Sequence, residues 1–189
     1  MKWYTAIGKR GYLFDGEFHI LADGEDKVLQ RTETYLWTAL LWGFCEEGQV
    51  LMRTRYLLGL AYPGADTKEL LPEDEAGRML KRLCMRGALF EQEAQGKEEA
   101  VECCLKKAEL APVQMRFFER VHIFLESLAQ GNPVRVSFRA FQRPRLTETE
   151  KKVLKRLRKG EKELPPGSIK ELAALFEKKL LTIEAVREV

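Results

Sequence analysis

Residues 79–94 read Met79-Leu80-Lys81-Arg82-Leu83-Cys84-Met85-Arg86-Gly87-Ala88-Leu89-Phe90-Glu91-Gln92-Glu93-Ala94. Met79, Leu80, Leu83 and Cys84 recur at helical spacing and share one apolar face. Gly87 then stops the helix, because glycine accepts the left-handed conformation of a C-terminal cap, and Ala88–Glu93 reads as a strand that turns at Gln95-Gly96-Lys97. The helix begins at Pro72, where proline suits the first turn and Glu73, Asp74 and Glu75 favour the positive end of the helix dipole. An amphipathic helix, a glycine and a strand in immediate succession call for a protein that mixes helices with small sheets.

Upstream, the aromatic and β-branched segment Lys2–Leu21 predicts strands over Trp3–Ile7 and Tyr12–Leu21, joined by a Gly-Lys-Arg-Gly turn and followed by a loop at Asp23-Gly24-Glu25-Asp26. From Thr32 the period becomes helical through Leu36, Ala39, Leu40, Gly43 and Phe44, with an end near Gly48. A second helix is expected over Gln49–Leu58, before the breaker Tyr62-Pro63-Gly64-Ala65-Asp66. Downstream, Glu99–Leu110 fits a helix or the return strand of a hairpin, and that choice decides whether the hairpin closes. Met115, Phe118, Val121, His122 and Leu125 mark an amphipathic helix that ends at Gly131. Val134–Phe141 alternates with period two, as a strand or extended arm does. Thr147 with Glu150 forms a capping box for a helix ending at Gly160, with Val153, Leu154 and Leu157 as its apolar stripe. Ser168 with Glu171 caps another, and a last short helix is expected from Thr182. The fold class is mainly α with small β (α+β), in three parts: 1–111, a connecting helix within 112–132, and 133–189.

The chain has 189 residues, 45% hydrophobic and 32% charged, with net charge +3. Its densest apolar stretch, Tyr35–Cys45, falls short of the roughly 20 residues that span a bilayer. The start, Met-Lys-Trp-Tyr followed by Gly8, Gly11 and Gly16, has no apolar core with a cleavage site, so a cytoplasmic location and no membrane partner are expected. Cys45, Cys84, Cys103 and Cys104 form no CxxC pair and have no companions at metal-finger spacing. Cys45 and Cys84 fall on apolar helical faces as small hydrophobes. The adjacent Cys103 and Cys104, with His122, leave metal or redox sensing open, although neighbours in sequence point to different faces. There is no phosphate-binding loop, dinucleotide fingerprint, HExxH or GxSxG, and His19 and His122 have no partner at motif spacing. No catalytic residue, cofactor or metal is expected, and the chain reads as a non-enzyme.

Within the order helix, helix, breaker, helix, glycine, strand and turn between Thr32 and Ala94, the run Met79–Leu89 resembles the helix-to-wing junction of winged-helix transcription regulators, and the preceding strands and helix are similar in layout to those of response-regulator winged helices. The resemblance implies an N-terminal winged-helix-like domain in which the third helix is the recognition element, presenting Arg78, Lys81 and Arg82 to a DNA groove. It further implies that Arg53 and Arg55 on the second helix hold phosphates, a task for which the planar arginine fork is suited.

The second constellation is electrostatic. From Val134 to Lys162 there are 11 basic and three acidic residues, a local +8 that leaves −5 for the remainder. Such a stripe, interleaved with Phe138 and Phe141, is the footprint of backbone phosphate contact, with Arg139, Arg143, Arg145, Lys151, Lys152, Lys155 and Arg156 as its candidate contacts. Ser168–Leu175 carries the Leu-Ala pair common in the first helix of a helix-turn-helix, and Thr182–Val186 stands where its second helix would begin. The expected function is therefore a DNA-binding transcriptional regulator acting on double-stranded DNA, with a homodimer through the helix 113–130. The alternative is a protein-interaction adaptor of winged-helix-like fold that does not bind DNA and uses the basic stripe on an acidic partner.

Overall fold

The computed structural model describes residues 1–15, 17–113, 133–137, 144–161 and 167–187. β1 (Lys2–Ala6) is followed by an antiparallel meander of β2 (Lys9–Phe14), β3 (Glu17–Ala22) and β4 (Glu25–Leu29). Then come α1 (Arg31–Leu40), the short β5 (Cys45–Glu46), α2 (Glu47–Ala61), α3 (Thr67–Leu70), α4 (Glu73–Met85) and β6 (Leu89–Glu93). α5 (Lys97–Lys107) leads into β7 (Ala108–Pro112), and a single turn, α6 (Val134–Ser137), precedes α7 (Glu148–Arg158), α8 (Ile169–Glu177) and β8 (Leu181–Val186). The class is α+β.

β1 is the middle strand of a three-stranded antiparallel sheet ordered β5-β1-β6, with Tyr4 opposite both Cys45 and Glu91. α1, α2 and α4 pack against that sheet, and their buried residues Leu36, Trp37, Leu40, Val50, Leu58, Met79, Leu80 and Leu83 join Trp3 and Tyr4 in the core. The same core continues to Leu175, Phe176, Leu181 and Ile183 near the C-terminus. Specific bonds tie the two ends of the chain. The Trp42 indole donates to the Leu181 carbonyl at 2.9 Å, and the Phe44 and Phe176 rings lie 5.9 Å apart. The Gly8 amide donates to the Ile183 carbonyl at 2.7 Å, and the Asp23 amide to that of Glu184 at 2.8 Å. Trp37, buried on α1, donates to the Ile7 carbonyl at 2.9 Å and so anchors α1 beneath the end of β1.

Several expectations are corrected. The strand expected over Tyr12–Leu21 is two strands, because Asp15 takes φ +51° and reverses the chain into β3; β4 follows the Asp23-Gly24 turn as a third. The first helix stops at Leu40 instead of near Gly48, where Trp42 adopts φ +59° and the chain turns into β5 to pair with β1. Glu99–Leu110 resolves as helix to Lys107 and strand from Ala108, so the partner of β6 is β1 and not a return strand. Val134–Ser137, expected extended, is one helical turn. The last helix expected from Thr182 is instead β8, antiparallel to β7, with Thr182 opposite Ala111 and Ile183 opposite Leu110. The expected helix 113–130 lies outside the described residues beyond Val113.

Candidate nucleic-acid interface

The local sequence of α4 explains its boundaries. Pro72 occupies the N-cap, three carboxylates fill the first turn and Arg82 stands in the last. Gly87 at φ +65° closes the C-terminus: its amide donates to the Cys84 carbonyl and that of Ala88 to Leu83, each at 2.9 Å, which satisfies carbonyls the helix would otherwise leave orphaned. Ala76, Met79, Leu80 and Leu83 are buried, so Asp74, Arg78, Lys81 and Met85 form the outward face. Met85 is 81% exposed, an unusual placement for a large apolar side chain on an otherwise charged face. Arg78 donates to Asp74 at 2.9 Å across one turn, with both side chains about three-quarters in water, a contact worth a fraction of a kcal/mol that a phosphate readily displaces.

Arg82 is held elsewhere. Its Nε donates to the Glu33 carboxylate at 2.7 Å and a second nitrogen reaches Gln30 Oε1 at 3.3 Å. Glu33 is fully buried, and it also accepts from Arg86 at 3.2 Å and from the Gln30 amide at 2.8 Å, the latter as half of a capping box on α1. Arg86 in turn donates to the Val28 carbonyl, and Lys27 Nζ donates to the Arg86 carbonyl at 2.6 Å. One buried carboxylate therefore locks the C-terminal half of α4 to α1, and Arg86 carries the link on to β4. Glu33, in sequence only a polar helix position, is the residue that sets the pose of α4. Its signal in the sequence is the Gln30-x-x-Glu33 capping-box spacing.

Arg55 is likewise occupied. Its Nε and Nη2 both donate to the Leu71 carbonyl, at 3.2 and 3.0 Å, and the side chain is 19% exposed. It fastens the loop after α3, whose last carbonyls lack helical partners. Arg53 is exposed, with its guanidinium packed over Gly43 in the turn between α1 and β5. Of the five cations the winged-helix resemblance implies, Arg53, Arg78 and Lys81 face water while Arg55 and Arg82 are structural.

A groove of about 670 Å³ runs beside α4, lined by Lys2, Tyr4, Glu47, Lys81, Cys84 and Glu91. Burial, with Glu91 adding, pushes the Cys84 thiol up to about 12, and burial with the same carboxylate raises the Tyr4 phenol as well. Both are neutral near pH 7, so neither is an activated nucleophile. Cys103 and Cys104 do not form a joint site: Cys103 Sγ donates to Gln92 Oε1 at 3.1 Å, whereas Cys104 is buried and its thiol is pushed up to about 12 by burial and then by Cys103. His122 lies outside the described residues. His19 Nδ1 is 2.9 Å from the Asp26 carboxylate. Among the described residues no three His, Cys, Asp or Glu side chains are grouped as metal ligands.

The basic stripe is carried by α7. Thr147 and Glu150 form the expected capping box, with Glu150 accepting from the Thr147 amide at 2.8 Å. The buried Glu150 carboxylate also takes both bonds of Lys178 Nζ, at 2.6 and 2.7 Å, which pins the start of α7 to the end of α8. That charge-assisted bond, before the Thr147 amide, holds Glu150 below the ordinary carboxylate range. Val153 and Leu154 are buried and Leu157 half-buried, so Lys151, Lys152, Lys155, Arg156, Arg158 and Lys159 all point to water. Arg145, just before the helix, is exposed as well. Arg139 and Arg143 lie outside the described residues. Ser168 stands at the N-cap of α8 without the side-chain capping bond expected with Glu171.

Among the described residues no helix is long and apolar enough to cross a membrane. Compared with family models, with curated proteins and with solved structures, the chain matches none.

Proposed function

We propose that this chain is a cytoplasmic DNA-binding transcriptional regulator of winged-helix type, in which α4 enters the groove. The observation that carries the reading is the order α1, β5, α2, α3, α4, β6 around a three-stranded antiparallel sheet, with α4 offering Arg78 and Lys81 outward and, among the described residues, no buried partner for either. β1, from the N-terminus, supplies the central strand that a wing hairpin would otherwise provide. Arg78 is the base-reading candidate, because a guanidinium forms paired bonds to a guanine edge, and Lys81 a phosphate contact. The immobilised Glu33, Arg82 and Arg86 are positioning residues that hold α4 at a fixed angle. A dimer through 113–130 belongs to the same proposal, since two half-sites double the surface read.

A second reading has its own observation. Met52, Tyr56 and Leu60 stand four residues apart on α2 and are 66%, 68% and 57% exposed, a stripe that favours an adaptor docking a protein. Selection of the full chain on a randomised duplex library separates the two. Recovery of a consensus that Arg78→Ala/Lys81→Ala abolishes supports DNA reading. Recovery of no consensus at moderate salt, with no binding to random duplex even at low salt, overturns it in favour of the adaptor.

A further inference from the structure

We propose that the outer face of α7 is a clamp for the sugar-phosphate backbone of duplex DNA, supplying affinity without reading sequence; the inference rests on the DNA-binding reading of α4. Four of its six outward cations are lysines, Lys151, Lys152, Lys155 and Lys159, and a lysine ammonium is a point charge that suits phosphates and lacks the fork that identifies a base edge. From Lys151 to Lys159 the helix axis advances about 12 Å, a length over which a duplex carries roughly seven charges. Lys151 is paired with Glu148 at 2.6 Å and Arg156 lies 3.6 Å from Glu161. Among the described residues, Lys152, Lys155, Arg158 and Lys159 form no ion pair with a carboxylate, so their charge is available to a partner.

Two features single out this face from an ordinary solvated helix. The first is rigidity: the Thr147–Glu150 capping box, the Glu150–Lys178 pair and a Gly160 cap at φ +77° hold both ends of α7. Cations on a fixed scaffold lose less freedom on binding than those on a flexible tail. The second is that the apolar side of α7 is consumed by the core through Val153 and Leu154. An interfacial membrane helix needs that side free to enter lipid, so the observations favour a polyanion in water over an anionic bilayer.

The test uses the full chain and a labelled random-sequence duplex, with affinity measured by anisotropy between about 50 and 200 mM salt. The variant Lys152→Gln/Lys155→Gln/Arg158→Gln/Lys159→Gln keeps good helix formers at every position. The logarithmic salt slope is expected to fall by about 3 to 4, so that the variant loses roughly a hundredfold less affinity across that range than the wild type does. Circular dichroism checks that it is folded, and Lys155→Gln/Lys159→Gln, expected to lower the slope by about 2, serves if it is not. The consensus recovered from the library is expected to stay unchanged in both variants. A salt slope equal to wild type overturns the clamp and leaves the reading of α4 standing. A changed consensus overturns its indifference to sequence. A wild type that binds phosphatidylserine vesicles but not duplex overturns the clamp together with the DNA-binding reading.

Discussion

Glu33→Ala removes the acceptor that joins the end of α4 to the start of α1, and its cost follows from the geometry. The carboxylate is fully buried and accepts from Gln30, Arg82 and Arg86. Breaking one side of a buried ion pair costs about 3–5 kcal/mol when the remaining charge is stranded. Here the stranded partners are 47% and 35% exposed, so water accepts their freed donors and the charge-pair loss is smaller. The reciprocal half of the capping box adds a further part of about 1 kcal/mol. The expected total is about 2–3 kcal/mol. Glu33→Gln keeps an acceptor and the volume while losing the charge, and is expected to cost about half as much. Urea unfolding followed by circular dichroism measures both, with a lowered midpoint and an unchanged slope as the signature of a folded-state effect. Arg82→Ala should cost less than Glu33→Ala, because it leaves Glu33 still paired with Arg86. A Glu33→Ala loss under about 0.5 kcal/mol, the range of an ordinary surface substitution, would refute the claim that this carboxylate positions α4.

Three further outcomes follow from the same structure. Lys178 lowers the Glu150 ionisation in the folded state, so the stability it contributes is present above the unfolded-state value of about 4.3 and is lost as pH falls through the folded one; Lys178→Met should flatten the acid limb of a stability-against-pH curve, and an unchanged limb would contradict the pairing. Gly8 sits at φ +116°, and a Cβ there would lie 2.9 Å from the Leu21 carbonyl oxygen, so Gly8→Ala should destabilise by at least about 2 kcal/mol in the same urea assay. Cys84 and Cys104, pushed up to about 12, should resist iodoacetamide at mildly alkaline pH until denaturant is added, as peptide mass spectrometry of the labelled chain would show. Prompt labelling of the folded chain would contradict the burial of Cys104 or the raised ionisation of the half-buried Cys84.

The parts of this protein that are legible without tertiary structure are those whose determinants lie within a few residues of one another. α4, α7 and α8 follow from apolar spacing, from the Thr147–Glu150 box and from glycines at Gly87 and Gly160 that take positive φ. The outward cations of α7 are equally legible, because the buried Val153–Leu154 pair leaves only one direction for the lysines on either side of it. Residues 181–186 have no such local determinant. Leu-Thr-Ile-Glu-Ala-Val suits a short helix or a strand, and the choice belongs to β7, about 70 residues earlier, whose unpaired backbone β8 satisfies. β1 reads as a strand from its own residues, but its place between β5 and β6 depends on two pairings far apart in the chain. Arg55 and Arg82 are identical in kind to Arg53 and Arg78 as letters on amphipathic helices. Only packing separates them, because an arginine stays in water or fastens one element to another according to whether a buried acceptor, here the Leu71 carbonyl or Glu33, lies within reach of its fork.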